Sequence, residues 1–193
     1  MRIKAGTDVE RSLLGPLLEG RGCGECTICC TTLKVDTPDF RKPAGTPCVH
    51  VGAGGCAIHA VRPHICRTWY CGWRRVAALP EAARPDRSGL LVSVSFVREP
   101  RNCLEGVSIN VRLLAGSTAI EDGTAAAVLD ALCARLIPVW FSDGSSKMLM
   151  HPANDVAQHV IAGTEPPARL AAEVNAWRAR YAMFVPAEGR GSA

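Results

Sequence analysis

The sequence predicts an α+β protein: an irregular, Cys-rich metal-binding lobe packed on a small antiparallel sheet with helices on one face. Three observations predict it. Eight of the ten cysteines fall between Cys23 and Cys71. The same stretch shows no sustained period of 2 or 3.6, and from Leu90 onward apolar residues first alternate and then recur at helical spacing. The chain divides accordingly into a Cys-rich lobe, residues 1–79, and a sheet-and-helix part, residues 80–193, expected to form one compact domain. With 193 residues, 48% of them apolar, a core can form without disulfide staples.

Residues 8–14 carry a short helical signal with Leu13 and Leu14, interrupted by Gly15-Pro16. From Gly22 to Gly72 the punctuation is Thr37-Pro38, Gly45-Thr46-Pro47 and Gly52-Ala53-Gly54-Gly55. So long an irregular run inside a compact domain needs something other than an apolar core to order it, and bound metal would supply that. Residues 80–88 read as a connector. Leu90, Val92, Val94 and Phe96 alternate, as do Val107, Ile109, Val111 and Leu113, which predicts two antiparallel strands. Residues 124–137 follow helical spacing through Val128, Leu132 and Leu136. Val139–Phe141 and Lys147–Met150 then flank Ser142-Asp143-Gly144-Ser145, read as a hairpin with positive-φ turn residues. Asn154 is the expected cap of a helix ending at Gly163. Pro166-Pro167 precedes a stripe of Leu170, Val174, Trp177 and Tyr181, and residues 187–193 read as frayed.

The cysteine spacing carries the chemistry. Cys23, Cys26, Cys29 and Cys30 form C-x2-C-x2-C-C, followed by Cys48, Cys56, Cys66 and Cys71. A C-x2-C turn aims two thiolates at one ion, zinc takes four such ligands, and bacterial iron–sulfur runs open with C-x2-C-x2-C. Cys30 departs from the iron–sulfur run, which places its fourth cysteine later. Adjacent Cys29 and Cys30 are expected to point apart and so to serve two sites, or two metals of one site. Which cysteine joins which site is not readable from spacing. Between Arg21 and Arg75 there are eight basic residues and three acidic ones, cations that help hold thiolates deprotonated. Arg62 and Arg67, flanking Cys66, are the best candidates for that role. Cys133, on an apolar helix face, and Cys103, in a loop between strands, read as packing residues. His50, His59 and His64 read as polar neighbours, His151 and His159 as surface or sheet-edge residues, and Trp69, Tyr70 and Trp73 as a shield against water or ordinary core.

Cys23-Gly-Glu-Cys26-Thr-Ile-Cys29-Cys30, with Gly55-Cys56-Ala57-Ile58-His59 and Arg62-Pro63-His64-Ile65-Cys66-Arg67, resembles the bacterial CxxCxxCC family of zinc- or iron-chelating cysteine-cluster proteins. The resemblance covers roughly residues 22–75. It carries that family's cysteines onto Cys23, Cys26, Cys29, Cys30, Cys48, Cys56 and Cys66, with Cys71 a looser match. It implies chelation of zinc or iron and no particular reaction.

The expected function is thus a metal-binding protein holding zinc or iron through eight cysteines. An iron–sulfur redox protein or enzyme is the alternative. Thiol–disulfide exchange through Cys23/Cys26 or Cys26/Cys29 lacks a surrounding thioredoxin-like βαβ pattern. A zinc-ribbon-like nucleic-acid module lacks the second, distant C-x2-C, and a net charge of +4 with pI near 8.6 falls short of a basic patch. No Gly-rich phosphate loop, H-E-x-x-H or Gly-x-Ser-x-Gly turn occurs, and Glu121-Asp122 sits where helix capping explains it. Residues 1–8 lack the apolar run of a secretory signal, and no stretch approaches the roughly 18 apolar residues of a span. A cytoplasmic location is expected, where thiols stay reduced. Metal ions are the expected partners, with no membrane; the residues point to no protein partner.

Overall fold

A computed structural model describes residues 7–97 and 99–182 of the chain. Helix α1 (Thr7–Leu14) buries Leu13 and Leu14 and stops at Gly15, whose φ of +95° only glycine adopts without strain. The Cys-rich stretch holds short elements only. These are α2 (Ile28–Thr32), the hairpin β1 (Val35–Thr37) to β2 (Phe40–Lys42), the hairpin β3 (Val51–Gly52) to β4 (Gly55–Cys56), and α3 (His64–Thr68), with 3-10 turns at His59–Val61 and Gly72–Arg74. Residues 80–88 are not an irregular connector. They form a 3-10 turn (Glu81–Ala83) and α4 (Pro85–Ser88), because Pro85 suits the first helical position and Gly89 closes the helix at φ +67°.

The main sheet has the order β5 (Leu90–Phe96), β6 (Val107–Leu113), β7 (Val139–Ser142), β8 (Lys147–His151). β5 and β6 are antiparallel, pairing Leu90 with Leu113, Val92 with Val111 and Val94 with Ile109. The expectation of a wholly antiparallel sheet is corrected at the next pair: β6 and β7 are parallel, with Ile109 opposite Val139. The reason is α6 (Thr124–Cys133), which carries the chain back along the sheet so that β7 starts from the same end as β6. That helix stops at Cys133 rather than residue 137, shortly before Pro138.

Helices cover both faces of the sheet, a second correction. One face carries Val92, Ile109, Val111 and Val139 and packs against Leu13 and Leu14 of α1 and Val128 and Leu132 of α6. This core also includes Trp73, Val76 and Leu79, so it draws on both segments of the chain. The alternate residues Trp140 and Leu149 face the other way, onto Leu104 of α5 (Cys103–Gly106) and onto α7 (Asn154–Ala162) and α8 (Ala168–Ala182). The α8 stripe Leu170, Val174, Trp177 and Tyr181 is buried there as its spacing predicts. Full burial of each such apolar side chain contributes roughly 1.5–3 kcal/mol.

Three local expectations change. Cys103 opens α5 instead of lying in a loop, because the Asn102 side chain accepts the Leu104 N–H and caps the turn. Asn154 is the first helical residue of α7, with Ala153 at the capping position, while Gly163 closes the helix at φ +68°. In the β7–β8 turn only Gly144 takes positive φ. Asp143 instead accepts the Ser145 and Ser146 N–H groups on its carboxylate, which holds its pKa well below the usual range. His151 is half-buried in β8, with Nε2 against the Arg135 carbonyl and its ring on Trp177. Residues 187–193 lie outside those described. Among the described residues no helix is long and apolar enough to cross a membrane.

The Cys-rich lobe lies along β5, one of the two edge strands of the main sheet. Gly72 is pressed so close that a Cβ there would stand 2.4 Å from Val92 Cγ1, and Leu91, Ser93 and Val94 of β5 form part of the lobe's inner wall.

Candidate metal centre

The first cysteines are set by a tight turn. The Cys26 N–H bonds to the Cys23 carbonyl at 3.0 Å, with Gly24 at φ +53° between them. Helix α2 then carries Cys29 and Cys30. The Cys48 N–H bonds back to the Cys30 carbonyl at 3.0 Å, and Cys56 pairs with Val51 across the β3–β4 hairpin. Gly55 takes φ +108°, and a Cβ on it would meet the Gly24 carbonyl oxygen at 2.9 Å; glycine there lets the hairpin lie on the first turn. Cys66 is on α3 and Cys71 immediately precedes the Gly72–Arg74 turn.

All eight of these cysteines line one cavity of about 320 Å³, all are half-buried, and all are free thiols. Cys103 and Cys133 lie elsewhere, packed against the second and first cores respectively. The Cys29 and Cys30 sulfurs are 3.9 Å apart, so the expectation that they point apart is corrected. Although consecutive helical positions do not face each other, short side chains leaning toward one cavity can still bring their sulfurs together. Four sulfurs about 2.3 Å from one zinc ion are about 3.8 Å from each other, so this pair already has the spacing of two ligands on one ion. Among the described residues no group of three or more His, Cys, Asp or Glu side chains is arranged to hold a metal ion.

Charge in the cavity is finely divided. Cys29 and Cys30 share a hydrogen bond in which either thiol can donate, and that bond, with Lys42 and Arg62 nearby, lowers the Cys30 thiol against the effect of burial. Cys29 correspondingly keeps its proton, held up by the same hydrogen bond, by burial and by the charges of Cys30, Cys23 and Cys26. Burial, then the charges of Cys23 and Cys26, pushes Cys71 up to about 11. Cys66 is raised by burial and by Cys30, Cys48 and Cys56. These thiols thus oppose one another's ionisation, an opposition that a cation among them would reverse.

Arginines and a lysine fix the wall. Arg74 donates to Cys23 Sγ at 3.6 Å and to the Arg21 carbonyl at 2.5 Å, and lies over the Tyr70 ring. Arg62 donates to the Cys66 carbonyl at 2.8 Å and contacts His59 and the Tyr70 hydroxyl. Arg84 donates to the Cys23 carbonyl at 3.2 Å. Buried Lys42 is held by the Pro43 and Thr46 carbonyls, at 3.0 and 2.7 Å. Arg21 donates to the carbonyls of Trp73, Val76 and Leu79. Sequence reasoning counted Arg21, Lys42, Arg62 and Arg74 among the eight cations of the stretch and singled out Arg62. It missed Arg84, and it could not show the contacts of Arg21 and Arg74, whose partners lie tens of residues away. Arg67, the other expected cation, is exposed and its position is corrected accordingly. His50 and His59 line the cavity and His64 is exposed, while Trp69, Tyr70 and Trp73 all stand on the wall.

No family model, curated protein or solved structure matches the chain. What the site can do therefore follows from its own donors. Clustered thiols suit zinc, iron and iron–sulfur clusters, and are the wrong donors for magnesium or calcium, which take oxygen.

Proposed function

We propose that this chain is a metal-binding protein that chelates zinc or iron through Cys23, Cys26, Cys29, Cys30, Cys48, Cys56, Cys66 and Cys71. The observation that carries the reading is that eight free thiols, from segments spread over residues 23–71, stand around one cavity beside cations that stabilise thiolates. The resemblance of the C-x2-C-x2-C-C run to zinc- and iron-chelating proteins agrees with it. Bound metal would neutralise the mutual repulsion of the thiolates and cross-link a lobe that has little apolar core of its own. A protein of this kind works where thiols stay reduced, as in the cytoplasm.

A second reading, an iron–sulfur redox protein, is favoured by one observation. The cavity of about 320 Å³ is large enough for on the order of ten waters, more room than one or two bare ions take. Anaerobic purification followed by elemental analysis and an absorption spectrum of the same sample tests both. A colourless protein with stoichiometric zinc selects the first reading; iron with acid-labile sulfide and visible charge-transfer bands selects the second. A reduced, folded chain that retains neither metal, and takes up neither on reconstitution, overturns the proposal.

A further inference from the structure

We infer that Lys42 is the built-in counter-cation of the loaded cavity: its ammonium donates to a sulfur of the bound thiolate–metal centre and helps retain the metal by its charge. The inference rests on the chelation reading above and adds to that site a residue that is not a cysteine. It holds however the sulfurs are shared among ions.

Burial sets Lys42 apart from the other cations. Among the described residues the charged side chains buried from solvent are Glu10, Lys42, Arg75 and Glu105. Glu10 and Arg75 face each other at 3.7 Å, and Glu105 holds Arg101 at 2.6 Å. Lys42, only 5% exposed, has no carboxylate within ion-pair distance among the described residues. A charge taken out of water without a counter-charge is strongly unfavourable, so its place in the fold calls for an anion.

An ammonium has three hydrogens to donate. Two go to the Pro43 and Thr46 carbonyls, at 3.0 and 2.7 Å, in the loop that leads to Cys48. The third has no partner among the described residues. Lys42 ends β2 and stands on the wall of the cavity that the eight thiols line, and no Asp or Glu shares that wall among the described residues. Sulfur is therefore the source of the missing anion. A divalent ion held by four thiolates carries two net negative charges, which a neighbouring ammonium offsets. The other cations of the wall are less committed to it: Arg62 and Arg74 are only half-buried, and Arg84 is paired with Asp86 at 2.9 Å. Loading releases thiol protons to solvent and forms metal–sulfur bonds, with no change of oxidation state and no bond made or broken at Lys42.

The test is the zinc affinity of the reduced full chain, measured by competition with a chromophoric chelator, for wild type, Lys42→Met, Lys42→Gln and Arg41→Met. Both Lys42 variants should bind zinc roughly 10- to 100-fold more weakly, the worth of one charge-assisted hydrogen bond. Arg41→Met removes the same charge from the neighbouring exposed side chain, which lies 3.5 Å from Asp36, and should stay within about twofold of wild type. Lys42→Gln separates charge from loop anchoring, because a neutral amide can still donate to the carbonyls. Wild-type affinity in Lys42→Met, recovery in Lys42→Gln, or an equal loss in Arg41→Met overturns the role of Lys42 and leaves chelation intact. If wild type takes up iron and not zinc, the same comparison is made with ferrous iron; a wild-type chain that takes up neither overturns chelation itself. Should the Lys42 variants fail to fold, nitrogen-15 NMR of wild type labelled at its four lysines decides. The Lys42 ammonium signal should shift and gain protection from solvent exchange on loading with zinc, and a signal that does neither overturns the inference.

Discussion

Arg21 offers the sharpest test of how the Cys-rich lobe is fastened. Its guanidinium reaches three carbonyls at once, Trp73 at 2.6 Å, Val76 at 3.0 Å and Leu79 at 2.7 Å, and lies over the Trp73 ring 5.1 Å from its centroid. It thereby clamps the turn leading from Cys71 to the segment that leads into Cys23. Arg21→Ala leaves three acceptors without their charged donor. At roughly 1–3 kcal/mol per unmet buried group, reduced because water reaches part of the site, the loss should be about 3 kcal/mol. For a chain of this length that is a fall in Tm of about 6–12 °C. Arg21→Lys should recover only about a third of it, since one ammonium cannot span three carbonyls set in a fork. Urea unfolding of the reduced, metal-free chain measures both. Variants within about 0.5 kcal/mol of wild type would show that the clamp contributes nothing and refute this account of the lobe's attachment.

Gly72→Ala should destabilise the reduced chain by about 2–3 kcal/mol, because the new Cβ would stand 2.4 Å from Val92 Cγ1 and 2.8 Å from its Cβ; an unchanged urea midpoint would contradict the packing of this turn on β5. Burial pushes the Glu10 carboxyl up to about 7, against the pull of Arg75 at 3.7 Å. The folded state therefore holds a proton that the unfolded chain has lost, and stability should fall by roughly 2–3 kcal/mol as pH rises from about 4.5 to 7 and level off above that. Glu10→Gln should remove that part of the slope, measured as the difference between variant and wild-type midpoints; parallel curves would rule the carboxyl out. Cys103→Ser and Cys133→Ser should leave zinc or iron content unchanged, since both side chains pack on the cores away from the cavity. Loss of metal in either would break the assignment of ligands to the other eight.

Much of this structure is legible in the chain, for reasons that differ by element. The α8 stripe and the β5–β6 alternation read correctly because burial on one face imposes a period on local sequence. Strand direction imposes none: Val139–Phe141 looks the same whether β7 runs with β6 or against it, and only the path of α6 decides. The second helical layer was equally hidden, since Trp140 and Leu149 show that the sheet is apolar on both faces only once their register is known. At the candidate centre, cysteine spacing picked out the eight thiols that line the cavity. It could not show the approach of Cys29 to Cys30, which depends on rotamers, or the roles of Arg74, Arg84 and Arg21, whose contacts span 51 to 61 residues.

X-ray absorption at the metal edge of the reconstituted protein tests thiolate ligation most directly. A zinc-loaded chain should show a shell of sulfur alone, four scatterers at about 2.3 Å. A shell dominated by nitrogen or oxygen at about 2.0–2.1 Å would mean that imidazole, carboxylate or water holds the ion, and would contradict the eight-cysteine site.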